Sequence, residues 1–229
     1  MNEGVTRLLL VRHGETDGNA QGRTQGRRDV PLNAMGRRQA AAVGKLVAEL
    51  LPVAVYSSPS SRARETAAGI ATLLGLDAHI DERLSEVDHG LLDGLSGEEL
   101  REQHGDFARR WREEDPTDMP IPGGESLGQA QRRMLAAVEA IRLAHPGEAV
   151  AVVSHNLALH TLICHALGVP LRAWRTFRID LASLSVVEVR DNGRWAVAGL
   201  NERCHLTEPA PSPLEGTGAG EQASTGGRA

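Results

Sequence analysis

Lysine, cysteine and aromatic residues are all scarce in this chain of 229 residues. Lys45 is the only lysine, so 24 of the 25 basic residues are arginines, and we attribute most of that bias to genome composition. Two cysteines without a CxxC spacing argue against a disulfide scaffold and favour a reducing compartment. Aromatic residues make up 3% of the chain, so aliphatic side chains must fill the core.

The chain also lacks a positive net charge and a long apolar run. Its formal net charge of −5 argues against a strongly basic nucleic-acid binder. No apolar run approaches the roughly 18 residues that a membrane span needs, and the N-terminus shows no secretory signal pattern. We therefore expect a soluble cytoplasmic protein without nucleic-acid or membrane partners, and the sequence leaves its oligomeric state open.

What the chain does contain is a regular alternation of strand-like and helix-like segments. Its 41% apolar and 24% charged residues are typical of a globular protein. The alternation predicts an α/β three-layer sandwich, with a mainly parallel central sheet, helices on both faces and a C-terminal antiparallel hairpin at the edge. The predicted strands cover 6–11, 53–56, 78–80, 148–153, 182–189 and 195–200, and the predicted helices cover 34–51, 61–74, 96–104, 106–113, 125–144 and 157–167.

The composition indicates one domain followed by a tail. Residues 1–206 carry the alternating pattern, and within them we expect 98–124 to form a helical lid. Residues 207–229 are rich in Pro, Gly, Ser, Thr and Ala, with almost nothing apolar to bury, which predicts a disordered tail.

Three polar clusters follow predicted strands: Arg12-His13-Gly14, Ser57 to Arg62, and Ser154-His155-Asn156. In sheets of this kind ligands bind beyond the carboxyl ends of the strands, so we expect the clusters to lie together. Arginine forks and free N–H groups at a helix start bind anions. A neutral imidazole can attack phosphorus without a helper base. The clusters therefore predict a site for phosphoryl transfer.

Other reactive side chains have simpler explanations. We expect the arginines outside these clusters to lie on solvated helix faces. Neither cysteine has an acid–base partner in the sequence, so neither is a candidate nucleophile. His155, His160 and His165 are spaced by five residues, so on a helix they would not share one face, and the HExxH motif is absent. We therefore expect neither a metal nor a cofactor. Six histidines we assign to the surface or to packing: His79, His104, His145, His160, His165 and His205.

Four stretches form a recognisable pattern. They are Leu10 to Asn19 (LVRHGETDGN), Gln25 to Leu32 (QGRRDVPL), Tyr56 to Ala63 (YSSPSSRA) and Val153 to His155 (VSH). Together they resemble the histidine phosphatase superfamily, in the branch that includes phosphoglycerate mutases and broad phosphomonoesterases. The resemblance spans about Arg7 to Leu206 in the family's order.

The resemblance implies a role for each matching residue. His13 would be the nucleophile that becomes phosphohistidine. Glu86 matches the family's proton donor, which would protonate the leaving alkoxide and then deprotonate the attacking water. The phosphoryl group would be held by Arg12, Arg62 and a protonated His155. The substrate would also meet Asn19, as a donor to a phosphoryl oxygen, and Gln25 and the Gly26 backbone at the entrance.

The residues alone do not single out Glu86. The segment 81–93 holds five carboxylates, and each of them has the simpler reading of a solvated loop charge. Glu86 is favoured because the site needs one carboxyl able to cycle its proton beside the arginines. His89 is a weaker competing acid, and the remaining acids we expect to be solvated: Asp81, Glu82, Asp88 and Asp93.

Two departures from the family's pattern concern the substrate pocket. The family's phosphatases often have Gly-x-Trp-Glu-Gly where this chain has Gly90-Leu91-Leu92-Asp93-Gly94, so one pocket wall is altered. Asn156 stands where glycine is common, and its side chain would narrow the pocket or donate to the substrate.

These features favour a phosphomonoesterase acting on a small phosphorylated metabolite. Glu86 and His155 are 69 positions apart, closer to the compact phosphatases than to the mutases, which carry a longer insertion there. Gln25 also looks like the phosphatase version. The alternatives are a bisphosphate-dependent phosphoglycerate mutase and a non-catalytic phosphate-ligand or protein-binding module on the same fold. The intact set of matching residues argues against the last.

Overall fold

Strands and helices alternate along residues 4–206, the part of the chain that the computed structural model describes. The predicted tail at 207–229 lies outside the described residues. The strands are β1 (Val5–Arg12), β2 (Ala54–Ser57), β3 (Ala78–Ile80), β4 (Ala149–Ser154), β5 (Leu184–Arg190) and β6 (Trp195–Glu202). The helices are α1 (Asp17–Ala20), α2 (Ala34–Glu49), α3 (Ser61–Leu74), α4 (Gly97–Glu113), α5 (Leu127–Ala144) and α6 (Asn156–Leu167), with 3-10 turns at Glu82–Leu84, Gly90–Leu92, Leu171–Thr176 and Cys204–Leu206.

One six-stranded sheet has the order β3-β2-β4-β1-β5-β6. The first four strands in that order are parallel to one another. β5 runs antiparallel to β1, and β6 runs antiparallel to β5. The predicted mainly parallel sheet with an antiparallel hairpin at one edge is confirmed.

Side chains of β1 alternate between the two faces of the sheet, as the period of a strand requires. Leu8 and Leu10 pack into a core with α5 and α6, and Leu9 and Val11 pack into a second core with α2 and α3. All four side chains are buried. Helices therefore cover both faces of the sheet, with an apolar layer between the sheet and the helices on each side. This arrangement is the predicted three-layer sandwich.

A third apolar cluster lies at the end of the molecule where α4 sits. Leu100, Phe107 and Trp111 of α4 pack with Leu92 and Leu157. The sequence predicted a break between two helices near His104, and the structure has one helix from Gly97 to Glu113 with a kink at that residue (φ −135°, ψ 32°). Within residues 4–206, no helix is long and apolar enough to cross a membrane.

Candidate active site

The ends of β1, β2 and β4 bring the three polar clusters together. The backbone N–H of His13 donates to Ser154 O (3.1 Å), and the N–H of Ser58 donates to Val153 O (3.1 Å). These bonds continue the parallel ladders one residue past the strands. As a result, the rings of His13 and His155 lie 5.1 Å apart between centroids.

His13 is held as a neutral imidazole with one nitrogen available for chemistry. Nδ1 lies 2.7 Å from Gly14 O, and because a carbonyl oxygen only accepts, Nδ1 carries the proton. The lone pair is therefore on Nε2. Burial, followed by the charges of Arg62 and Arg12, lowers the pKa of His13 well below its ordinary value of 6.5. At neutral pH the ring has the form that a nucleophile needs.

Close packing of backbone fixes the segment after His13. A Cβ at Gly14 would lie 2.5 Å from Gly36 O, and a Cβ at Gly36 would lie 2.0 Å from Glu15 O. The N–H of Gly14 donates to Thr66 Oγ1 on α3 (3.1 Å). Two glycines thus let the segment that follows His13 contact the start of α2.

Arg12 is anchored by residues that are distant in sequence. Its Nη1 donates to Ile179 O (2.7 Å) and to the side-chain oxygen of Asn156 (3.3 Å). Burial lowers the pKa of Arg12 to about 10, so the guanidinium stays charged at neutral pH. Asn156 therefore orients Arg12, a contact that the sequence analysis did not anticipate.

Arg62 is completely buried at the first turn of α3. Its Nη2 donates to Gly26 O (2.8 Å), and its Nη1 donates to Arg28 O (2.9 Å). Burial lowers the pKa of Arg62 from its ordinary value, and the charge of Glu86 opposes that shift. Arg62 thereby ties the long loop after α1 to the site.

His155 contacts two serine hydroxyls of the β2 to α3 turn. Its Nε2 lies 2.7 Å from Ser58 Oγ and 3.3 Å from Ser60 Oγ. Burial, then the charges of Arg62 and His13, lowers the pKa of His155 well below its ordinary value. The protonated His155 implied by the resemblance therefore requires a nearby negative charge to compensate.

Three buried nitrogens beside His13 have no hydrogen-bond partner among the described residues. They are Nε of Arg12, Nε of Arg62 and Nδ1 of His155. A buried donor left without an acceptor costs about 1–3 kcal/mol, so such atoms are rarely grouped without a reason. A phosphoryl group, with several acceptor oxygens, matches this set.

The carboxylate of Glu86 is fixed by backbone N–H groups. Oε1 accepts from Val87 (2.8 Å) and Ala158 (2.9 Å), and Oε2 accepts from Leu157 (3.2 Å). From the sequence, the N–H groups of a helix start were expected to belong to the anion pocket. Two of those at the start of α6 instead hold Glu86, which is itself 4% exposed.

Arg133 on α5 supports the segment that carries Glu86. Its guanidinium donates to Ser85 O (2.6 Å) and Glu86 O (3.0 Å), and it pairs with Glu125 (2.8 Å). The side chain of Arg133 is 15% exposed. The expectation that arginines other than Arg12 and Arg62 lie on solvated faces is wrong here.

Asp93 is a second functional neighbour that the sequence analysis missed. Its carboxylate accepts from the N–H groups of Gly26 (2.9 Å) and Arg28 (2.8 Å). The expectation of a solvated loop charge is wrong for Asp93, and also for Asp81, whose carboxylate pairs with Arg83 at 2.6 Å. Asp93 holds the loop whose carbonyls in turn bind Arg62.

Asn19 and Gln25 meet at Thr16. Asn19 Oδ1 accepts from the N–H of Thr16 (3.1 Å), which leaves the amide NH₂ as the group of Asn19 that could donate to a ligand. Thr16 Oγ1 lies 2.9 Å from Gln25 Oε1.

Two neighbouring cavities, of about 260 and 220 Å³, share Glu86 in their walls. Every residue predicted for the site lines one of them. The larger is lined by Gly26, Arg62, Glu86 and His155 among others, and the smaller by Arg12, His13, Asn19, Gln25, Glu86 and Asn156 among others.

Histidines outside the site do not form a metal cluster. His160 of α6 is 4% exposed and contacts Asn156 O (2.8 Å) and Phe177 O (3.3 Å), which is a packing role. Within the described range, no group of three or more His, Cys, Asp or Glu is placed to hold a metal ion.

Comparison with known proteins extends the similarity over the whole described fold. A family model described as "Histidine phosphatase superfamily (branch 1)" matches residues 8–203. Phosphoserine phosphatase 1 of Hydrogenobacter thermophilus is 38% identical over 205 residues, which cover 89% of this chain and 96% of that protein. The Escherichia coli protein named "Probable phosphoglycerate mutase GpmB" is 36% identical over 215 residues, covering 92% and 100%. The solved structure of Bacillus stearothermophilus YhfR matches with a TM-score of 0.82 at 33% identity, covering 88% of this chain and 100% of that one.

Proposed function

The chain belongs to the histidine phosphatase superfamily, and on that premise we propose that it is a metal-independent phosphomonoesterase that hydrolyses a small phosphorylated metabolite through a phosphohistidine on His13. The observation that carries the proposal is the group of three unpartnered buried nitrogens beside a neutral His13. Phosphoryl transfer asks a protein mainly for positioning and positive charge, and Arg12 and Arg62 supply both.

In the first step, Nε2 of His13 attacks phosphorus as the bond to the ester oxygen breaks. Arg12, Arg62 and His155 stabilise the charge on the three equatorial oxygens. Glu86 gives its proton to the leaving alkoxide. Oε2 is the better placed oxygen to carry that proton, since it accepts one longer hydrogen bond whereas Oε1 accepts two.

In the second step, water attacks the phosphorus of phosphohistidine and the N–P bond breaks. Glu86 takes the water's proton, inorganic phosphate leaves, and the lone pair returns to Nε2 of His13. Each cycle therefore restores both the neutral imidazole and the protonated carboxyl.

The decisive experiment compares His13→Ala with the wild type on p-nitrophenyl phosphate, in the presence of EDTA. We expect hydrolysis by the wild type without added metal, and its loss in the variant. The matched control is His79→Ala, an exposed histidine on β3 away from the site. Full activity in His13→Ala would overturn the mechanism, and a loss on chelation that zinc restores would overturn metal independence.

A rapid quench with labelled substrate tests the intermediate. Phosphohistidine is labile in acid and survives in base, so we expect label on the wild type with that stability and none on His13→Ala. Glu86→Gln is expected to release p-nitrophenol in a burst, because this leaving group needs little protonation while hydrolysis of the intermediate still requires a base.

A phosphoglycerate mutase is the second candidate, supported by the name of the relative that is 36% identical. The two activities share the phosphohistidine and differ in whether water or a second hydroxyl accepts the phosphoryl group. Interconversion of 3- and 2-phosphoglycerate primed by the bisphosphate, faster than phosphate release, would favour the mutase. Lack of both reactions in the folded protein would favour the non-catalytic module.

A further inference from the structure

A third cavity, of about 240 Å³, opens beside the site beneath α4. Its lining is mostly apolar and includes Leu92, Leu100, Phe107, Trp111, Ile121 and Leu157. These residues belong to one apolar cluster, in which Leu92 and Trp111 are 4% and 8% exposed. Ligand sites are concave and mostly apolar, with a few polar groups that orient the ligand, and this cavity has that character.

The cavity adjoins the active site. It shares Thr24, His89 and Leu157 with the cavity that contains His13 and Arg12. A molecule with its phosphoryl group at His13 could therefore extend its other end under α4. Leu92, in the stretch Gly90 to Gly94, forms part of the wall of this cavity.

Two unpartnered nitrogens lie at the smaller catalytic cavity, and one of them also borders the apolar cavity. Nε2 of His89 and Nε1 of Trp174 are buried and have no hydrogen-bond partner among the described residues. Both residues line the smaller catalytic cavity, and His89 also lines the apolar one. The unused hydrogen-bonding capacity of these nitrogens is explained if a polar group of the substrate meets them next to the ester oxygen.

We propose that the apolar cavity is the leaving-group subsite, and that the substrate is a phosphate monoester of an alcohol carrying a bulky apolar or aromatic group. The proposal rests on the proposed phosphatase function. It excludes compact, wholly polar esters as the best substrates, because they would leave the apolar wall without a partner and gain nothing from it.

Two esters of the same leaving-group chemistry test the proposal. 3-Phenylpropyl phosphate and propyl phosphate are both primary alkyl esters, so they differ in the apolar ring alone. We expect kcat/KM at least about 10-fold higher for the phenylpropyl ester, the scale by which a hydrophobic pocket discriminates.

Ala108→Leu fills the cavity from α4 without touching the catalytic residues, since Ala108 lines the apolar cavity. We expect this variant to lose about 10-fold in kcat/KM for the phenylpropyl ester and to keep its value for propyl phosphate within about twofold. Glu102→Leu places the same side chain on an exposed position of the same helix and is the matched control. It should change neither value.

Inhibition of the wild-type enzyme by free alcohols tests the subsite without any substitution that could affect folding. 3-Phenylpropanol should inhibit hydrolysis of propyl phosphate competitively, whereas propanol at the same concentration should not. Equal kcat/KM for the two esters, or equal inhibition by the two alcohols, would overturn the subsite while the phosphatase function stands. Hydrolysis of neither ester, nor of p-nitrophenyl phosphate, would overturn both.

Discussion

Replacing Arg133 by methionine removes the guanidinium that holds the Glu86 segment while keeping a side chain of similar length. Arg133 pairs with Glu125 at 2.8 Å, and their side chains are 15% and 13% exposed. The substitution therefore leaves a largely buried carboxylate without its partner. It also removes the donors to the carbonyls of Ser85 and Glu86.

The size of the effect follows from this burial. Removing one partner of a buried ion pair costs about 3–5 kcal/mol, and we take about 3 kcal/mol because some water reaches the pair. In a domain of this size, 1 kcal/mol corresponds to about 2–4 °C, so Tm should fall by about 6–12 °C. Arg109→Met breaks a pair with Glu113 whose side chains are 57% and 60% exposed, and it should cost no more than about 1 kcal/mol.

Thermal unfolding measures the stability, and steady-state kinetics report on Glu86. We expect kcat of Arg133→Met to fall more than KM changes, because Arg133 holds the segment of Glu86, the proposed proton donor, and lines neither of the two cavities of the site. Combining it with Glu125→Gln should cost less than the two single changes added together, since they share one interaction. A Tm change no larger than that of Arg109→Met, or strict additivity, would refute the reasoning.

Three further changes have defined outcomes. Ser58→Ala removes the buried hydroxyl 2.7 Å from Nε2 of His155 and should lower kcat/KM by about 10-fold, while the lost hydrogen bond, worth about 1 kcal/mol, should lower Tm by about 2–4 °C. The pKa values of His13 and His155 are lowered in the folded protein, so below pH 6.5 the unfolded chain binds more protons than the folded one. The free energy of unfolding should therefore fall as the pH decreases below 6.5. His155→Gln removes one of the two histidines and should make Tm depend less steeply on pH in that range. Cys164 is buried, which raises the pKa of its thiol to about 11, whereas Cys204 is exposed and its pKa is raised by a hydrogen bond to Glu202. Because exposure separates the two thiols, iodoacetamide should modify Cys204 slowly in the native protein and Cys164 only after unfolding, as peptide mass analysis would show.

Local patterns were sufficient for the features that depend on neighbouring residues. The apolar run at 6–11 predicted a buried strand, and the turn Asp191-Asn192-Gly193-Arg194 between two strand-like runs predicted the final hairpin. The resemblance predicted from four stretches is confirmed by the family model over residues 8–203. The predicted strand ends brought His13 and His155 together because parallel strands terminate at one edge.

Contacts that join distant parts of the chain were not predictable in the same way. Nothing near Arg133 in sequence distinguishes it from the exposed arginines of α4, and its role appears only when α5 packs beside the segment of Glu86. Asp93 likewise looks like its acidic neighbours until the loop of Gly26 folds against it. Ile179 binds Arg12 through a backbone carbonyl, which any residue type would supply.

The start of α6 links the electrostatics of the site to its proton chemistry. A helix N-terminus favours negative charge, and in an anion-binding site one expects it to face the ligand. Here the N–H groups of Leu157 and Ala158 face Glu86 instead. In the proposed mechanism the phosphoryl group is therefore left to the guanidinium groups of Arg12 and Arg62 and to the two imidazoles, while the start of α6 contributes through Asn156, which accepts from Arg12. In the proposed mechanism this division lets the carboxyl lose and regain its proton in a fixed position. Glu86→Gln keeps one acceptor oxygen, so we expect it to preserve the start of α6 and to slow hydrolysis of the proposed phosphohistidine.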